Sequence, residues 1–411
     1  MASRFAYVSM GQIYVKSGDA PAATHESKFV QGVRDRAMEL YRRHSWKAGD
    51  SDGKMIPRAA LWGANARNPE LAKIEVNSIS PRGEGDGFVY SVFSREISGV
   101  LAYKEKSQAE LRLLHTPDFR ITQVNSEPGT GRLVLTMHHD GCSVIATMDG
   151  NGGVFTEVTQ GEAFDESPFW VPGKKNQILF QSAGVANNES GAVVGQAPYS
   201  IRLLEMDSAQ ITTLLEDPSN DLLAPKMSPD GTLYFIRRPY RMGLPSRSFF
   251  GWIEDILLFP YRLLYAILQF FNIFTMMYTG KPLMHSGPLA RKQTDPARMI
   301  IWGNLVEAQK ALIGESISDS GLVPASWELC RKTAGGEMEV LAKSVLSYDL
   351  ELDGGVLFTN GTVIYRTVPG CGQTPLQKAS MIRQVVALPP SEKDEATPAP
   401  QTDTSEMAVL R

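Results

Sequence analysis

Residues 224–236, Ala-Pro-Lys-Met-Ser-Pro-Asp-Gly-Thr-Leu-Tyr-Phe-Ile, decide how this chain is read. Pro229-Asp230-Gly231 predicts a tight turn: proline presets φ, aspartate accepts from nearby backbone amides, and glycine takes conformations closed to other residues. Thr232–Ile236 then has the β-branched and aromatic content of a strand. The same arrangement occurs one unit earlier. Ser167-Pro168-Phe169-Trp170-Val171-Pro172-Gly173 runs into the strand Gln177–Gln181. Both copies have two prolines separated by three residues, a bulky apolar residue (Trp170, Met227) before the second, a glycine turn and an apolar strand.

Outward from these copies, short strand-like runs recur in groups of four, at a spacing of about 45 residues. Ile74–Ser80, Phe88–Phe93, Val100–Lys104 and Glu110–His115 form one group. Arg120–Asn125, Arg132–Met137, Ser143–Met148 and Val154–Val158 form the next. Glu166–Trp170, Gln177–Gln181, Tyr199–Glu205 and Gln210–Leu215 follow. The first group begins with a hairpin, Phe5–Ser9 and Gln12–Ser17 turning at Met10-Gly11, and continues at Arg58–Trp62. The fifth has Leu222–Met227, Leu233–Arg237, Arg298–Trp302, Ser326–Arg331 and Glu337–Ala342. The sixth has Val345–Leu350, Gly355–Thr359, Thr362–Thr367 and Ile382–Leu388, with Asn360-Gly361 as a hairpin signal.

The two proline-rich copies resemble the repeat of TolB-type (WD40-like) β-propellers, P-x-W-S-P-D-G-x-x-I-x-F. PKMSPDGTLYF is near to it, with Met227 in the tryptophan place; PFWVPGKKNQILF is looser. The resemblance implies an all-β fold: a β-propeller of about six four-stranded blades over residues 1–388, radial repeats that bury one another's faces. The paired GH and WD signatures of WD-repeat blades are missing. The sialidase Asp-box is not met either, because Asp230 and Gly231 are adjacent.

Two helical insertions interrupt the strands. Residues 24–48 place Phe29, Val33, Ala37, Leu40 and Tyr41 at helical spacing, with Thr24 as N-cap. Residues 241–296 contain the most apolar stretch of the chain, Ser248 to Tyr278. Both read as lying between the second and third strands of a blade, hence projecting from one face. Strands of one fold flank the apolar stretch on both sides, so a single membrane crossing would split the propeller across the bilayer. Two crossings need roughly 40 apolar residues, more than the segment has. Asp255, Arg262 and Gln269 fall within about 40° on a helical wheel. A narrow polar stripe on a wide apolar surface suits a helix lying in the membrane interface. Pro260 divides it.

The membrane or partner contacts expected from this segment are Phe249, Phe250, Trp252, Ile253, Leu257, Phe259, Leu263, Leu264, Ile267, Leu268, Phe270, Phe271, Phe274 and Met277. Arg238, Arg241, Arg247 and Lys281 flank it as contacts for anionic lipid, each worth about 1 kcal/mol near such a surface. Burial of the segment against protein accounts for its apolar residues equally well, and for its basic flanks less well.

Composition limits the partners. The chain has 411 residues, 21% charged, and a net charge of −4, so no basic field points to nucleic acid. Three cysteines, Cys142, Cys330 and Cys371, lie far apart and suggest a reducing compartment. The N-terminal stretch alternates like a strand and lacks the apolar run of a secretory signal. The expected location is therefore the cytoplasmic membrane surface, bound peripherally. Residues 389–411 lack apolar content at their start and read as a disordered tail.

No nucleotide-binding loop, metalloprotease helix, nucleophile elbow or calcium loop is present. His138-His139-Asp140 with Cys142 is the single metal-capable cluster, and neighbouring histidines on a strand point to opposite faces. No catalytic, cofactor or metal residue is therefore assigned. The expected function is a non-enzymatic scaffold or protein-interaction module attached through the 248–280 segment and docking an unknown protein partner. The alternatives are a hydrolase or lyase with its site in the central channel, and a subunit whose insertion packs on a membrane-protein partner.

Overall fold

The computed structural model describes residues 4–36, 39, 74–83, 87–94, 97–139, 141–187, 193–240, 300–301, 304–305, 321–370 and 372–390. They form antiparallel meanders. The first sheet joins both ends of the described chain: β1 (Arg4–Ser9), β2 (Gln12–Ser17) and β3 (Ala23–His25), with the last strand β27 (Ile382–Ala387) beside β1. The second holds β4 (Glu75–Pro81), β5 (Phe88–Phe93), β6 (Ser98–Lys104) and β7 (Ala109–Thr116). The third has β8 (Arg120–Ser126), β9 (Leu133–His139), β10 (Cys142–Met148) and β11 (Phe155–Glu157). The fourth has β12 (Ala163–Trp170), β13 (Gln177–Asn187), β15 (Ser200–Glu205) and β16 (Gln210–Leu215), and β14 (Val193–Gln196) extends β13 as a hairpin. One parallel bridge, Ser143 to Phe164, links the third and fourth.

The fifth sheet is β17 (Asn220–Met227), β18 (Leu233–Pro239), β21 (Glu328–Lys332) and β22 (Met338–Lys343). Between β18 and β21 lies the short pair β19 (Ile300–Ile301) and β20 (Asn304–Leu305). The sixth sheet is β23 (Ser347–Leu350), β24 (Val356–Thr359), β25 (Val363–Thr367) and β26 (Gln373–Lys378). Apolar clusters join successive sheets. Trp170, Ile178 and Phe180 of the fourth pack on Val134 and Ile145 of the third. Leu222, Leu233, Phe235 and Cys330 of the fifth pack on Leu179 and Ile201 of the fourth. Phe5 and Tyr7 of the first meet Leu357 and Ile364 of the sixth, which closes the ring. Both faces of each sheet are thereby withdrawn from water, the condition under which short repeats are stable together and not alone.

Local signals act as expected in the turns. Ser9 pairs Gln12 across Met10 (φ 51°) and Gly11 (φ 75°), the two positive φ values of a type I′ hairpin. At Asn360-Gly361, the Asn360 side-chain oxygen accepts from the backbone amides of Thr362 and Val363 at 3.0 and 2.9 Å.

Strand order departs from the sequence reading in three places. Ile382–Leu388 was expected as the fourth strand of the sixth group; β27 is instead the innermost strand of the first sheet, with Ile382 and Val385 fully buried. The sixth sheet is completed by β26, an exposed edge strand containing Pro375, which carries no apolar alternation to read. Arg58–Trp62 lies outside the described residues, and the first sheet has its fourth strand in β3. Arg298–Trp302 contributes only β19, which pairs with β20 and not with the fifth sheet.

The helix of the first insertion starts at residue 28 and is described to 36. Thr24, expected as its N-cap, is in β3; Ser27 is the cap, its hydroxyl accepting from the Val30 amide at 3.2 Å. Glu110 of β7 accepts from the first two helical amides, Lys28 at 3.0 Å and Phe29 at 3.2 Å, where a carboxylate also complements the helix dipole. Phe29, Val30 and Val33 pack on the core between the first and second sheets. The described part of this helix is thus docked on the ring and does not project from it. The connection that carries it runs from the outer strand β3 to the inner strand β4, not between second and third strands.

Candidate functional site: the central channel

The innermost strand of each sheet (β27, β4, β8, β12, β17, β23) lines a central cavity of about 1360 Å³. All six run the same way through the ring. We call the face at which they start proximal and the face at which they end distal. Second strands return to the proximal face, so every second-to-third connection lies there. The 241–320 segment, between β18 and β21, is such a connection.

The inner strands are not regular. Register shifts break β4 between Val76 and Ser78, β8 between Ile121 and Gln123, β12 between Glu166 and Phe169, and β17 between Leu223 and Lys226. In β12 and β17 the bulge contains Ser167 (φ 52°) before Pro168 and Ala224 (φ 50°) before Pro225. Bulges of this kind bend a strand and re-aim its side chains. Each freed amide is held by a glutamine. Ser167 N donates to Gln123 Oε1 at 2.5 Å, and Ala224 N donates to Gln181 Oε1 at 2.7 Å.

The second glutamine belongs to a buried network. Gln181 Nε2 and the Tyr199 hydroxyl donate to Glu166 Oε2 at 3.1 and 3.0 Å. His138 Nε2 lies 3.4 Å from Glu166 Oε1, and Ser143 Oγ lies 3.5 Å from it. Burial raises the Glu166 pKa above the ordinary carboxylate value, and the bonds from Tyr199 and Gln181 oppose the rise. Burial, then the nearby Arg120 charge, lowers His138 to about 4. The imidazole is therefore uncharged at neutral pH, and the His138–Glu166 contact is not an ion pair there. Burial, reinforced by the Glu166 charge, raises Tyr199 as well.

Two further cations of the channel wall, Lys226 and Arg238, are paired. Lys226 Nζ donates to Asp349 Oδ1 at 2.6 Å and to the Tyr348 carbonyl at 3.0 Å. Arg238, expected at anionic lipid, is buried. It is the cross-strand partner of Asp221, donates from Nε to Asp221 Oδ2 at 2.8 Å, and lies 5.1 Å from the centre of the Trp327 ring. That position is at odds with contact to a membrane surface. The remaining expected contacts, from Phe249 to Met277 with Arg241, Arg247 and Lys281, lie outside the described residues. Among the described residues no helix is long and apolar enough to cross a membrane. Among them, too, no three histidine, cysteine or acidic residues are placed to hold a metal ion. The network itself escaped the sequence reading, which took His138 only as part of the His138-His139-Asp140 cluster with Cys142. Glu166, His138 and Gln181 come from three strands and Tyr199 from the position just before β15, with no shared motif, and only polar residues in or beside otherwise apolar strands could have drawn attention to the set.

No family model matches this chain, and none of the curated proteins does. Solved structures do. TolB from Acinetobacter baumannii is 10% identical with a TM-score of 0.50, over 94% of this chain and 67% of that one. A structure of a nidogen/laminin complex is 6% identical with a TM-score of 0.49, over 94% and 98%. Likeness at such identities concerns fold, since one fold hosts many functions. With the ring of four-stranded sheets, it makes the fold that of a TolB-like β-propeller.

Proposed function

We propose that the chain is a non-enzymatic propeller scaffold, held peripherally on the cytoplasmic membrane surface by the 248–280 segment and docking a protein partner through the propeller. One observation carries the reading. β18 and β21, which bracket the segment, are hydrogen-bonded neighbours, with Arg237 opposite Glu328. The two bracketing strands therefore lie about 5 Å apart, the spacing of adjacent strands, and the chain returns to the ring on the proximal face, where the Leu322 amide donates to the Asn360 carbonyl of the neighbouring sixth sheet at 2.7 Å. A segment tethered so at both ends is suited to lying in the interface and not to a single crossing. Sedimentation with anionic liposomes tests this. Wild type is expected in the pellet, and the Leu264→Glu, Phe271→Glu double variant in the supernatant. Equal supernatant for both sinks membrane attachment, and pelleting only in the presence of another membrane protein favours a complex subunit.

A second reading, a hydrolase or lyase acting in the channel, is favoured by the displaced pKa values gathered around Glu166, His138 and Tyr199. The scaffold is preferred because the Glu166 carboxylate is already met by Tyr199, Gln181, Ser143 and His138. Replacing His138 and Glu166 in the native host without loss of phenotype removes the enzymatic reading.

A further inference from the structure

At its proximal mouth the channel has two arginines without hydrogen-bond acceptors. Arg120 opens β8 and Arg383 follows the first residue of β27, and the inner strand between theirs, β4, begins at Glu75. Glu75 Oε2 is 3.9 Å from Arg383 Nη1, at the outer edge of an ion pair. Arg120 rests on Phe93, 4.0 Å from the ring centre. Neither guanidinium hydrogen-bonds another described residue. Each has five N–H donors in its plane, and stacking on a ring leaves that edge open. Burial holds both pKa values below the usual arginine value, and the Arg383 charge lowers Arg120 further, so the two groups sense one another across the mouth.

The local charge then decides the ligand. Glu75 lies between the two arginines and offsets part of their charge. Asp221 balances Arg238, and His138 is uncharged at neutral pH. Glu75 between the guanidinia disfavours a dianion. The walls that continue inward include Phe164, Tyr199 and Val386. We propose that the proximal mouth binds a small organic monocarboxylate with an apolar body, its two oxygens shared between Arg120 and Arg383. Planar guanidinium edges suit a carboxylate in this way. The proposal uses channel residues alone and is independent of membrane attachment.

The test is saturation-transfer NMR of benzoate with the full chain in lipid-free buffer at neutral pH. Saturable benzoate binding is expected, with benzamide failing to bind. Arg120→Gln and Arg383→Gln should each raise the Kd about tenfold, the loss of roughly 1.4 kcal/mol. Lys174→Gln, on a distal turn, should not change it. Thermal melts confirm that each variant folds; should Arg383→Gln not fold, Arg120→Gln and the milder Arg120→Lys decide. Equal binding of benzamide, or unchanged affinity in the arginine variants, overturns the site. Stronger displacement by inorganic phosphate than by acetate overturns the carboxylate class. A short peptide with a free C-terminal phenylalanine that binds ten times tighter than benzoate, by about 1.4 kcal/mol, overturns the small-acid source.

Discussion

The two proline-rich copies, 167–181 and 224–236, share a backbone and differ in what fills it. Each has a bulge whose first residue takes a positive φ before proline, and each bulge amide is held by a glutamine side chain. Left-handed backbone costs a residue with a side chain about 1–2 kcal/mol, so both sites are held by their surroundings. The fill differs. Trp170 is 1% exposed in the core between the third and fourth sheets, under the Arg132 guanidinium at 4.7 Å. Met227 is only partly buried on the next core. The repeat thus specifies a bend and an inter-sheet wedge, and the size of the wedge follows the gap it meets.

The largest effect that would sharpen this contrast is Trp170→Ala. Loss of a fully buried indole should cost about 3–5 kcal/mol in a urea midpoint measurement. Met227→Ala should cost about 1–2 kcal/mol, as suits partial burial of a flexible side chain. Equal losses would mean that the two wedges are equivalent after all. Between these falls Gln181→Ala. It strips the acceptor from the Ala224 amide and a donor from Glu166, and unmet buried groups cost about 1–3 kcal/mol. Gln123→Ala, at the other bulge, should cost less, because Gln123 is not fully buried.

Two smaller effects separate the copies by pH. The folded-state pKa of Glu166 is raised, so the folded state holds its proton more tightly than the unfolded chain. Stability from this group is complete below the ordinary glutamate value and falls as pH rises through the folded value. Glu166→Gln should therefore stabilise the protein at neutral pH and flatten that slope; its oxygen can accept from Tyr199 and Gln181 while its amide faces His138 and Ser143. Asp230 behaves oppositely. Hydrogen bonds from Ser228 and Thr232 lower its pKa in the turn of the second copy. Its contribution is present above the ordinary aspartate value and lost as pH falls through the folded one. Asp230→Asn should remove a small acid-side loss of stability, visible in melts between neutral and acid pH. Gly173, in the same place of the first copy, supplies no such titration.

Legibility of the fold followed from where the information is local. Met10-Gly11, Asn360-Gly361 and Pro229-Asp230-Gly231 need particular backbone angles, and only a few residue types supply them. Inner and second strands, buried on both faces, read as apolar runs. Two of the edge strands do not: β26 is exposed and lacks apolar alternation, and β3 is exposed and lies against a helical pattern that masked it, whereas Glu110–His115, Gln210–Leu215 and Glu337–Ala342 were legible. Assigning Arg238 to lipid failed for a related reason. Its charge was visible, but its cross-strand partner Asp221 was set by register.

By itself the sequence determined the class of the fold, the turns, the two bulge-forming copies and the apolar character of 248–278, because each rests on neighbours along the chain. Tertiary structure alone decided that the first and last strands share a sheet, and that both ends of the 241–320 connection meet on one face. It also decided that Glu166, His138, Tyr199 and Gln181 form one network while Arg120 and Arg383 share a mouth. These are contacts between residues distant in sequence, and no local preference of either partner encodes them.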